Sequence, residues 1–243
     1  MTKPLYQNEL EAKFKIENEA MKKTYIDRLL EQGFVLSANH LETDFVFDTE
    51  DDLCKKNKII LRYRAITGKE GYLLTMKVEQ RNEHFQDYME MDCKSDDYDF
   101  FEKLDEINRV LKKYTGKSLP ATEMKIQSAT EMITKAQRFG FTKNRMFSQK
   151  QRLVYQKDGM SVCFDILPKG FGEYIELEVF ENDQLFSLID FLDIKQNMFE
   201  RRNYGKLIQD LMAKHEQSGE GRRICVFDSD FEKEIYLKFG LSR

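Results

Sequence analysis

From Glu9 to Glu17 the chain alternates charged and apolar residues. In an extended backbone Leu10, Ala12, Phe14 and Ile16 share one face, and Glu9, Glu11, Lys13, Lys15 and Glu17 share the other. The pattern predicts a first strand. From Glu19 to Gln32 the spacing becomes helical, with Met21, Tyr25, Ile26, Leu29 and Leu30 on one side and Gly33 placed to end the helix. Strands are then predicted at about 40–48, 58–66, 71–79 and 84–93, with Thr67-Gly68 as a turn. A helix follows from Asp96 to Tyr114, its apolar stripe formed by Phe100, Leu104, Ile107, Leu111 and Tyr114. Thr115-Gly116 and Pro120 break the chain, and Ser128 with Glu131 reads as a capping box opening a short helix to Phe139. A second run of strands is predicted at about 140–148, 150–157, 160–167 and 173–180, with a hairpin turn at Lys157-Asp158-Gly159. Helices at about 183–194 and 203–215 complete the regular pattern.

Strands, helices, strands and helices in that order give an α+β class. The two strand sets can close into one antiparallel barrel. Ser218 to Gly221 reads as a flexible linker. The expected division is a main domain over 1–215 and a C-terminal extension over 216–243. That extension holds a short strand at Ile224–Phe227 and a helix from Phe231 to Phe239. It could serve as a lid, a dimer contact or an extra edge strand.

The polar faces of the strands carry charges of both signs. Arg62 and Arg64 share a face, Lys77 follows on the next strand, and Glu90 and Asp92 share another. Lys143 with Arg145, then Arg152, Asp165, and Glu176 with Glu178 continue the pattern. For one strand alone, a solvated sheet face explains this. Across all strands, flanking helices that cover the apolar faces would turn the charged faces inward. Buried charges must then be paired or bind ions. Paired glutamates suit a hard divalent cation such as magnesium, and Arg and Lys suit phosphate oxygens.

Composition narrows the partners. The chain has 243 residues, 41% hydrophobic and 34% charged, enough to bury a sizeable core. A net charge of −4 supplies no basic excess for double-stranded nucleic acid. The four cysteines are scattered and the three histidines stand apart from them, so neither a zinc site nor a disulfide framework is expected. No apolar run spans a bilayer and no signal segment is evident, so the expected setting is cytoplasmic.

Six ordered segments resemble one family. Glu9-x-Glu11-x-Lys13 resembles the ExExK signature of the CYTH superfamily, the triphosphate tunnel metalloenzymes. Phe45-Val46-Phe47-Asp48-Thr49, Leu61-Arg62-Tyr63-Arg64 and Leu74-Thr75-Met76-Lys77 resemble its next three motifs. Asp165 followed by Gly172-Glu173-Tyr174-Ile175-Glu176-Leu177-Glu178, and then Asn203-Tyr204-Gly205-Lys206-Leu207, resemble the last two. The resemblance implies an eight-stranded antiparallel tunnel, closed, with flanking helices. It implies a metal, Mg2+ or Mn2+, on Glu9, Glu11, Glu176 and Glu178, with Asp165 and Glu90 in support. It implies a triphosphate cradled by Lys13, Arg62, Arg64, Lys77, Lys143, Arg145 and Arg152, with Lys77 a candidate general base. For Lys143 and Arg152 an ordinary surface charge is the competing reading.

The implied activity is hydrolysis of inorganic tripolyphosphate or of a nucleoside or organic triphosphate such as ATP. The alternatives are a class IV adenylyl cyclase and a non-catalytic polyphosphate- or nucleotide-binding module. Two departures concern the fifth strand, where Tyr88 stands for the family's Arg and Asp92 for its second Glu. The chain also has no Trp, which the animal thiamine triphosphatases use to stack the thiamine ring. A homodimer is compatible with the sequence.

Overall fold

The computed structural model describes residues 7–80, 85–94, 97–120, 129–195, 198–214 and 224–239. Among these, β1 (Gln7–Ile16), α1 (Glu19–Glu31), β2 (Val35–Asp48), α2 (Leu53–Lys56), β3 (Ile59–Ile66), β4 (Tyr72–Glu79) and β5 (Gln86–Lys94) form the first half. Then come α3 (Phe100–Thr115), α4 (Ala129–Arg138), β6 (Lys143–Lys157), β7 (Met160–Leu167), β8 (Gly172–Val179), α5 (Asn182–Leu192) and α6 (Tyr204–Lys214). A short β9 (Ile224–Cys225) and α7 (Ser229–Phe239) end the described chain.

Eight strands close into an antiparallel barrel in the order β2-β3-β4-β5-β1-β8-β7-β6, sealed by pairing of β6 with β2. That seam runs from Val35↔Gln156 to Asp48↔Lys143. The expected barrel class is therefore the observed one. The two strands expected at 140–148 and 150–157 are a single strand, β6. Its polar stretch Ser148–Gln151 looks like an interruption in sequence, yet every residue of it pairs with β2. A register shift where Val46↔Met146 passes to Phe47↔Asn144 leaves Arg145 as an extra residue, a β-bulge. The bulge matters for the interior, because it changes which side chains of β6 face inward.

The apolar faces turn outward and the helices cover them. Leu10, Ala12, Phe14 and Ile16 of β1 pack with Tyr25 and Leu29 of α1 and with Leu185, Leu188 and Leu192 of α5. On the other side Phe45, Phe47, Leu61, Tyr63, Leu74 and Met76 pack with Phe100, Leu104, Ile107 and Leu111 of α3. Tyr114, expected in that stripe, is 39% exposed, and Thr115 is the buried residue at the helix end. Gly33 follows α1 with φ +82°, and Asp158 and Gly159 both take positive φ in the β6–β7 hairpin, as a tight turn requires. Ser128, Asp96 and the Ser218–Gly221 linker lie outside the described residues.

The C-terminal segment supplies the extra strand. β9 runs parallel to β6, with Phe147↔Ile224 and Ser148↔Cys225 in register. Ile224, Val226 and Ile235 enter the core shared with Phe45, Phe47 and α3. The Phe231 ring sits 5.7 Å from that of Phe147. A chain ending at residue 223 should therefore lose more than the ~2–5 kcal/mol of one large core truncation. Denaturant unfolding of the shortened chain measures this, and an unchanged midpoint would refute it.

Candidate active site

The alternation that sends apolar residues outward sends the charged ones into the barrel. The interior holds a cavity of about 540 Å3. Its lining includes ten Lys or Arg and eight Asp or Glu side chains, drawn from β1–β6, β8, α6 and the β2–β3 connection. Of the residues expected at the site, Glu9, Glu11, Lys13, Arg62, Arg64, Lys77, Glu90, Arg145, Arg152, Glu176 and Glu178 all line it. Residues from opposite ends of the chain meet because β1 lies between β5 and β8, which places Glu11 opposite Glu178 and Lys13 opposite Glu176.

Two of the expected residues are placed elsewhere. Lys143 lies outside the cavity lining and pairs with Asp52 at 2.6 Å. It is the first residue of β6, opposite Asp48 at the end of β2, where Asp52 of the following turn takes its ammonium. Asp165 is fully buried beneath the lining rather than in it. Its oxygens accept from Arg152 Nε and Nη2, both at 2.7 Å, from Lys150 Nζ at 3.2 Å and from Tyr204 Oη at 2.6 Å. A carboxylate so occupied orients its neighbours instead of reaching a metal.

The cations differ in how much hydrogen-bonding capacity is left to them. Arg64 is held by Asp44 at 2.6 Å and 2.8 Å and by Glu42 at 2.9 Å. Arg152 binds Asp165, Glu176 at 2.5 Å and Glu178 at 2.8 Å. Arg62 is held loosely, 3.4 Å from both Asp44 and Thr75, and its buried Nε has no partner. Arg145 reaches only to 3.5 Å from Asp48. Lys13 is 3.1 Å from Glu176, and its ammonium lies over the Tyr204 ring at 3.9 Å. Lys150 shares that ring at 4.6 Å.

Lys77 sits among three carboxylates. Its Nζ is 2.5 Å from Glu9 and 3.1 Å from Glu90, and it also hydrogen-bonds Glu11. Burial opposes its charge, but Glu11, Glu9 and Glu90 outweigh that and raise its pKa well above the usual lysine range. The raised value favours its ammonium form over the free amine a general base would need. Lys77 is a fixed positive charge at the place where the acids converge.

The acids are driven apart. Burial is countered at Glu176 by Lys13, Lys150 and Arg152, which hold it well below the ordinary range. Burial at Glu90 is likewise overcome by Lys77, a hydrogen bond from Glu9 and Arg62, bringing it to about 2. Glu9 is raised well above the usual value, by burial first and then by Glu11 and Glu90. Glu178 is raised by burial and by Glu176 and Glu11, and Asp92 by burial and Glu90. Glu9 and Glu178 stay raised although Lys77 and Arg152 touch them, because burial and the neighbouring carboxylates outweigh those cations. Oxygen donors so placed suit a hard divalent cation. Among the described residues no three acidic, His or Cys side chains stand close enough to cage an ion as they are, because Lys77 occupies the centre of one group.

Several lining residues escaped the sequence reading. Lys150 fell at the supposed start of a strand, so its inward face was not evident. Asp44 lies in the same alternation as Val46 and could have been found from it. Lys55 and Lys58 reach the cavity from the β2–β3 connection. That turn is organised by Asp48, which accepts from the backbone N–H groups of Thr49, Cys54 and Lys55 at 2.7, 2.8 and 3.0 Å.

Solved structures share this architecture. A conserved hypothetical protein from Pyrococcus furiosus is 18% identical, with 82% of this chain and 99% of that chain covered and a TM-score of 0.57. A provisionally assigned adenylate cyclase from Vibrio parahaemolyticus is 14% identical, covering 84% and 98%, with a TM-score of 0.57. HpAC1 from Hippeastrum, a provisional adenylyl cyclase with a dominant triphosphatase activity, is 16% identical, covering 83% and 95%, with a TM-score of 0.51. At these identities the likeness concerns the fold. No curated protein matches the chain. The family model for the CYTH domain matches residues 7–200. With that match spanning the barrel and its charged interior, the chain belongs to the CYTH domain family.

Proposed function

We propose that this protein is a divalent-metal-dependent triphosphatase that hydrolyses a triphosphate inside the barrel. The observation that carries the reading is the double character of the lining. Cations outnumber acids there, so the preferred guest is an anion. Yet burial and neighbouring acids raise Glu9, Asp92 and Glu178, so further positive charge is also favoured there. A metal–triphosphate complex meets both demands.

Glu9, Glu11, Glu176 and Glu178 would hold Mg2+ or Mn2+, with Glu90 beside them. When bound, the metal supplies charge neutralisation and a more acidic water. Arg62, with its unpartnered Nε, and Arg145 are free to take phosphate oxygens, and Lys13 and Lys150 supply point charges. Lys77, fixed as an ammonium, stabilises charge developing on the phosphates. Water attacks the terminal phosphorus, the bridging P–O bond breaks, and orthophosphate leaves.

Incubating the protein with tripolyphosphate, ATP, GTP and thiamine triphosphate, first with magnesium and then with manganese, tests the reading. Orthophosphate is the expected product. Cyclic AMP with pyrophosphate would replace the hydrolase by an adenylyl cyclase. Tight triphosphate binding without turnover would leave a binding module.

A further inference from the structure

Tyr204 opens α6 and lines the tunnel. Asn203 fixes the first turn of that helix. Its side chain accepts from the Lys206 N–H at 2.9 Å, and its carbonyl accepts from the Leu207 N–H at 2.9 Å. Leu207, Ile208 and Met212 pack the helix against Met146, Leu167 and Phe171. The Tyr204 ring is fixed in turn. It stands edge-on to Tyr174, with centroids 6.2 Å apart and planes at 88°. Its hydroxyl donates to Asp165 Oδ2 at 2.6 Å. Burial first, and then Asp165, raise its pKa well above the usual tyrosine range, so the O–H remains to donate.

Two ammonium groups gather round this one ring, Lys13 at 3.9 Å and Lys150 at 4.6 Å from its centroid. Like charges so placed repel. The ring face attracts both through its quadrupole and takes none of their N–H donors. Lys13 otherwise meets Glu176 at 3.1 Å and Arg202 O at 3.5 Å. Lys150 meets Asp165 at 3.2 Å and Glu42 at 3.4 Å. An ammonium has three donors, so each lysine keeps at least one for a guest. A carboxylate in place of the ring would consume those donors and repel a phosphate.

We propose that Tyr204 is a positioning residue for phosphate binding, its ring holding Lys13 and Lys150 together at the tunnel wall with N–H groups to spare. The proposal rests on the triphosphate reading above. It adds a residue that acts through two lysines rather than on the substrate.

The test compares Tyr204→Phe, which keeps the ring, with Tyr204→Leu, which removes it. Tyr204 is only half-buried, so Leu leaves the core filled. Apparent affinities for tripolyphosphate in magnesium come from the ligand dependence of the thermal midpoint, each variant referred to its own ligand-free value. Tyr204→Leu should weaken tripolyphosphate about tenfold or more, the loss expected for two partly desolvated cation–ring contacts. Tyr204→Phe should stay within about threefold of the unaltered protein, because Phe offers the same kind of face. In a Lys13→Met background Tyr204→Leu should cost less than it does alone, since one of its two lysines is already gone. Weakening by Phe as large as by Leu, no weakening by Leu, or an undiminished cost beside Lys13→Met would overturn the proposal. If tripolyphosphate fails to bind the unaltered protein, the tunnel reading falls and takes this proposal with it, which is a different result.

Discussion

Glu178→Gln should lower triphosphate turnover at least about 100-fold while leaving the thermal midpoint of the metal-free protein unchanged or higher. Loss of a residue that merely supports a metal ligand costs about 10–100-fold, and loss of a ligand itself should exceed that. The stability side follows from the charge state. Glu178 is pushed up by burial and by Glu176 and Glu11, against Arg152, 2.8 Å away, and the weaker pull of Lys77. The folded chain therefore binds this proton more tightly than the unfolded chain. That contribution to stability is complete below the ordinary glutamate value and is lost as pH rises through the folded-state value. Gln is a permanent stand-in for the protonated acid and does not lose it. Glu9→Gln should behave alike, since Glu9 is raised for the same reasons. Metal-free protein should accordingly lose stability as pH rises above the carboxylate range, and the two variants should lose less. Steady-state rates beside thermal melts at several pH values measure both effects. A variant that melts early and still turns over would refute the assignment.

Among single substitutions at the site, Arg152→Met is expected to have the largest effect on stability, about 3–5 kcal/mol, as for other buried ion pairs deprived of one partner. Arg152 is 5% exposed and bonds three carboxylates, Asp165, Glu176 and Glu178. Asp165 retains Lys150 and Tyr204, but Glu178 loses the close cation that opposes its burial. Combining Arg152→Met with Glu178→Gln should recover part of the loss, because one orphaned charge disappears. Denaturant midpoints of the single and double variants read this directly. Full additivity of the two changes would show that the residues are not coupled.

Much of this arrangement is visible in the chain because a strand has a period of two. Glu9, Glu11 and Lys13 share a face in any strand, and so do Arg62 and Arg64 or Glu176 and Glu178. The covering helices are visible for the same kind of reason, through Leu104, Ile107 and Leu111 of α3. What the period cannot reveal is set by partners distant in sequence. The bulge at Arg145 arises from pairing with Val46 and Phe47, and it brings that side chain to the cavity beside Met146. Lys150 faces inward because β6 runs unbroken along β2, although its own neighbours are polar. Asp165 has the right parity but lies under Arg152, which takes the approach to the cavity. The place of Ile224 and Cys225 on β6 has no local signal beyond two apolar residues.

The seam between β2 and β6 has a consequence for the order in which the molecule is made. Residues 35–48 wait for residues 143–157 before the ring can shut, and β9 covers β6 only after residue 224 has joined the chain. Contacts so far apart in sequence form slowly. In the interval the half-made sheet shows water its glutamates, lysines and arginines, while α1 is already at hand to shield the greasy side of β1. A barrel with its charges inside can thus be left ajar during synthesis without presenting a sticky inner wall to its neighbours.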